Sequence, residues 1–132
     1  DYHQERVVVA RAMYTAPSLS QSRWDTETPF MWFKQTGQEV GAPRDNNVEL
    51  LPEEYRSYRT RFARDVTFDY NSMYENVTLF GTPDDLTNRI LDLQRSGVDK
   101  IIFFINFGGI EHQKVLNSLD LFAKEVMPEF VD

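Results

Sequence analysis

Two short runs in the chain are apolar on both faces, and between and after them apolar residues recur at helical spacing. The first run is Arg6 to Tyr14, RVVVARAMY. Three consecutive β-branched valines favour extended backbone. Val7, Val9, Arg11 and Met13 fall on one side of such a strand, and Val8, Ala10, Ala12 and Tyr14 on the other. Apolar residues on nearly both sides predict a buried strand of parallel type, ended by Pro17. The second run, Lys100 to Ile105 (KIIFFI), predicts another such strand.

The helical segments are set by their caps. Ser18 or Ser20 opens a helix, in which Pro29 marks either a kink or the first turn of a second segment. Phe30, Trp32 and Phe33 cluster there, and Gly37 is the predicted stop. Gln38 to Leu51 reads as loop, rich in turn formers. Pro52-Glu53-Glu54 opens a helix with Tyr55, Tyr58 and Phe62 at helical spacing and four arginines among them (Arg56, Arg59, Arg61, Arg64). Thr67 to Phe80 has no clear period. Thr82-Pro83-Asp84-Asp85 is a strong start signal: Thr at the cap, Pro first, acids against the helix dipole. Leu86, Ile90 and Leu93 form its apolar face, and Gly97 ends it. Asn106 to Gly109 is a turn, and a last helix runs from about Ile110 to Met127, closed by Pro128. Strand, helices, buried strand, helix is the order of a parallel α/β protein, with no internal repeat and no linker between domains.

Composition narrows the chemistry. The chain has 132 residues, the length of one ordinary domain, and 41% apolar residues, enough for a core. Its net charge of −7 argues against nucleic acid, whose phosphates call for a surplus of Lys and Arg. With no cysteine there is no disulfide, thiolate ligand or Cys nucleophile. No apolar run approaches the ~18 residues of a membrane helix, and Asp1 to Glu5 has no leader pattern. The expectation is a cytoplasmic protein with no membrane contact.

Few residues point to a reaction. His3 and His112 lack a second ligand at metal spacing, so no metal is expected. Asp84 and Asp85 are accounted for by the helix start. The arginine-bearing helix reads as a solvated amphipathic helix or as an anion site. Asn76-Val77-Thr78 fits the glycosylation triplet. Asn106-Phe107-Gly108-Gly109 is the best candidate: it follows a strand and opens a helix, where α/β folds bind ligands. Glycines there let a ligand approach the backbone, or else they serve only a tight turn. No catalytic residue is assigned.

The stretch from Gly81 to Phe130 resembles the C-terminal end of the bacterial luciferase-like monooxygenases. Gly81-Thr82-Pro83 opening a helix, Gly97-Val98-Asp99 before a strand, Asn106 to Gly109, and Phe122 to Phe130 (FAKEVMPEF) carry the likeness. Arg6 to Phe33 is similar more loosely. The resemblance implies a (β/α)8 TIM barrel, reduced FMN as cofactor, and oxygenation of a small organic substrate. It implies that Asn106, Phe107, Gly108 and Gly109 line the flavin or substrate side of the barrel mouth.

A complete barrel takes about 250 residues. This chain shows two barrel-type strands and begins without Met, so it reads as a single fragment, roughly the last third of such an enzyme. On that reading it would be a proteolytic piece, an engineered piece or a truncated gene product. The two strands, expected side by side, would expose unpaired edges. The missing N-terminal part of the barrel, or other copies of the chain, would then cover them. The alternative function is a catalytically inactive, self-associating module.

Overall fold

The computed structural model describes residues 6–41, 52–54 and 67–131. Strand β1 is Val8–Thr15 and helix α1 is Leu19–Gly41. Then come α2 (Tyr70–Asn76), β2 (Leu79–Gly81), α3 (Pro83–Arg95), β3 (Lys100–Phe104) and α4 (His112–Glu125), followed by a 3-10 turn at Met127–Glu129.

Helix α1 is capped by the Ser18 hydroxyl, which accepts from the Gln21 N–H at 3.2 Å. It continues as one helix through Pro29, where the sequence predicted a kink or the first turn of a second segment, and through Gly37, where it predicted a stop. A proline in a helix interior costs about 3 kcal/mol. Ser22, Asp25, Thr26 and Phe30 form a buried stripe on this helix, and such packing outweighs local propensity. Gln38 to Gly41, predicted as the start of a loop, are helical, and the rest of that predicted loop lies outside the described residues. Two helical residues, Glu53 and Glu54, follow Pro52 as predicted; the arginines of that segment lie outside the described residues.

The unassigned stretch before Gly81 contains two elements. Asp69 caps α2 by accepting from the Ser72 N–H. The three-residue strand β2 follows, too short to show a period of its own. Thr82 caps α3 as predicted, in a reciprocal box with Asp85. Helix α4 is shorter than predicted, because its end tightens into the 3-10 turn that holds Pro128.

The strands form one open, fully parallel sheet in the order β2-β1-β3. Tyr14 stands beside Phe80, and Ala10 beside Ile102. Arg6–Tyr14 and Lys100–Ile105 are thus parallel neighbours, as predicted. The architecture is mixed α/β. The crossover from β1 to β2 and the one from β2 past β1 to β3 run in opposite directions across the sheet, and right-handed connections then put their helices on opposite faces. On one face Tyr14 and Phe80 pack with Phe30, Tyr70, Tyr74 and Phe107. On the other, Met13 and Leu79 pack with Leu86, Phe122 and Val126. Consecutive strands of a barrel are neighbours; here β1 separates β2 from β3.

Neither predicted strand is buried throughout. Burial along β1 rises from exposed Val8 to fully buried Met13 and Tyr14. Ile102 and Phe104 of β3 are each 52% exposed. Among the described residues the first face is covered only at the carboxyl end of the sheet and β3 is an edge strand, so an apolar pattern on both sides meets cover on one. Trp24, Trp32 and Phe33 are exposed, whereas Phe30 is core. Among the described residues no helix is long and apolar enough to cross a membrane.

Candidate functional site

Asn106 to Gly109 leaves the carboxyl end of β3 and leads into α4, the position predicted for it. Its four residues then separate. The Phe107 ring turns inward, stacked on Phe80 at 5.1 Å between centroids and edge-on to Phe30 at 5.5 Å. Gly108 sits at φ +63°, where a Cβ would lie 1.8 Å from the Pro29 carbonyl oxygen. Its missing side chain is explained by the close approach of α1, without a ligand. Gly109 also has a positive φ, +74°, but a Cβ there would meet nothing within 4 Å. It borders an open cleft of about 470 Å³ lined by Thr28, Pro29, Trp32, Gly108 and Gly109. Asn106 is exposed, and neither it nor Phe107 lines that cleft. Of the four, Gly108 and Gly109 border this cleft, while hydrophobic packing takes Phe107 into the core.

Trp32 was noticed in the sequence only as part of an aromatic cluster. Its place in the cleft follows from α1 continuing through Pro29, which keeps Thr28 and Trp32 one turn apart on one side.

A second cluster lies at the carboxyl end of β1. Gln21 and Asp25 are one turn apart on α1; Lys114 and Ser118 are one turn apart on α4. The Asp25 side chain is 3% exposed. Its Oδ2 accepts from the Tyr14 hydroxyl at 2.9 Å and the Gln21 amide at 2.7 Å. Its Oδ1 accepts from Lys114 Nζ at 2.6 Å. Ser118 Oγ accepts from the Thr15 N–H at 2.7 Å, which fixes α4 to the strand end. These residues line a cavity of about 490 Å³ with Asn117 and Asp120.

Burial opposes ionisation of Asp25, but the hydrogen bonds from Gln21, Lys114 and Tyr14 outweigh it and hold its carboxyl below the usual range. The same bond, with the carboxylate charge, raises Lys114. Burial, then the Asp25 contact, pushes the Tyr14 hydroxyl well up. Carboxylate, ammonium and phenol are all held in their neutral-pH forms. The cluster is charge-balanced, supplies neither a free base nor a neutral amine, and ties α1 to α4. The available sequence signal was a carboxylate on the buried stripe of α1 beside Ser22, Thr26 and Phe30.

Two of the other sequence candidates have structural partners. Asp85 Oδ2 accepts from the Thr82 N–H and hydroxyl at 2.9 and 2.6 Å. Thr78 of the glycosylation triplet is buried, its hydroxyl donating to the Tyr74 carbonyl. No group of three His, Cys, Asp or Glu side chains is placed to hold a metal among the described residues. No protein-family model matches the chain, and no curated protein is significantly similar to it.

Proposed function

We propose that the chain is the C-terminal part of a luciferase-like flavin-dependent monooxygenase, the last strands and helices of a (β/α)8 barrel, and that Gly109 and Trp32 form one wall of its FMN site. The observation that carries this reading is the cleft at the carboxyl end of β3. Its lining includes the Trp32 side chain and a turn with room at Gly109 where a side chain would project. Its volume lies within the range of ligand pockets, but its five lining residues surround only part of a flavin-sized molecule. The Gly81–Phe130 motifs support the reading locally: each cap, strand and turn that the resemblance names is an element of that kind here.

Bound reduced flavin would supply the activation of oxygen. Within this chain, Trp32 offers a stacking surface and Gly109 keeps the approach to it clear. Gly108 and Phe107 act one step back, by fixing the turn against α1. The barrel order requires β2 beside β3 in the longer protein, so the reading entails that β1 gives up one of its present neighbours there. The N-terminal strands would cover the open flank of β3. In a longer protein ending in this chain, Gly109→Val should weaken FMN binding at least about tenfold, which is ~1.4 kcal/mol, with the melting temperature followed as a control for backbone strain. Equal FMN affinity in the two forms would remove this turn from the site.

The exposed Ile102 and Phe104 favour a second reading, a module without catalysis whose copies associate through this uncovered face of β3. The coding sequence upstream of Asp1 separates the two. A continuous frame of about 200 residues with strand–helix periodicity supports the barrel; a start codon next to Asp1 supports the module.

A further inference from the structure

We draw no further inference here: the strongest candidate, the apolar groove between α3 and α4 lined by Met13, Ile101, Phe103, Phe122 and Met127 beside the edge strand β3, is an unpartnered apolar surface, and nothing in the structure shows what covers it.

Discussion

The carboxyl end of the sheet and the free flank of β3 are built from the same kinds of residue and end in opposite states. At the carboxyl end, Phe80 is fully buried, in contact with the rings of Phe30, Tyr74 and Phe107. Along β3, Ile102 and Phe104 stand half exposed, although their side chains are as apolar. The difference lies in which partners the chain supplies. Helices α1 and α2 reach over β2 and the end of β1, and no described element reaches over Ile102. Apolar character reports a demand for cover and says nothing about where the cover comes from.

The widest contrast should appear on truncation. Phe80→Ala removes a ring from the centre of the cluster and should destabilise the fold by about 3–5 kcal/mol. Ile102→Ala should change stability by no more than about 0.5 kcal/mol. Urea unfolding of both variants measures the pair. A large loss at Ile102 would mean that the flank is covered in solution.

Adjacent glycines sharpen the same comparison on a smaller scale. Gly108→Ala drives a Cβ into the Pro29 backbone as well as straining φ, and overpacking of that kind costs about 1–3 kcal/mol beyond the strain. Gly109→Ala meets open space and should cost only the strain of a positive φ, about 1 kcal/mol. Thermal melts that rank the two equally would contradict the α1 contact.

The Asp25 cluster predicts an acid dependence. A carboxyl lowered from 3.8 by folding stabilises the protein fully above that value. The contribution is lost as pH falls through the lowered value. Asp25→Asn should therefore be less stable than the parent at neutral pH, and its stability should fall less steeply below about pH 4. Denaturant titrations between pH 2 and 7 read this directly. Parallel curves would show that the Lys114 and Tyr14 contacts do not persist in solution.

Much of the second half was legible because its signals are local. Thr82-Pro83-Asp84-Asp85 and the Gly97 stop act within one turn of the residues they control, so α3 stands where the sequence put it. The pairing of β1 with β3 was also legible, from matching apolar runs. Long-range packing accounts for the rest. Pro29 was read as an interruption because its cost is local, whereas the burial of Ser22, Thr26 and Phe30 that offsets it depends on distant residues. Strand β2 is three residues long and takes its extended form from β1 beside it. At the candidate site, the turn was found from its glycines. The Asp25–Lys114 pair was not, since its partners are 89 positions apart and neither belongs to a motif.

Titration of the 132-residue chain with FMN, followed by quenching of flavin fluorescence, tests the central claim most directly. On the proposed reading the chain holds one wall of the site, the open cleft lined by Thr28, Pro29, Trp32, Gly108 and Gly109. A ligand of that size is held by a pocket that encloses most of its surface. The account predicts no saturation in the micromolar range, while a longer protein carrying the N-terminal strands does saturate there. Saturable micromolar binding by the chain alone, lost on Trp32→Ala, would contradict it by showing that the site is already complete.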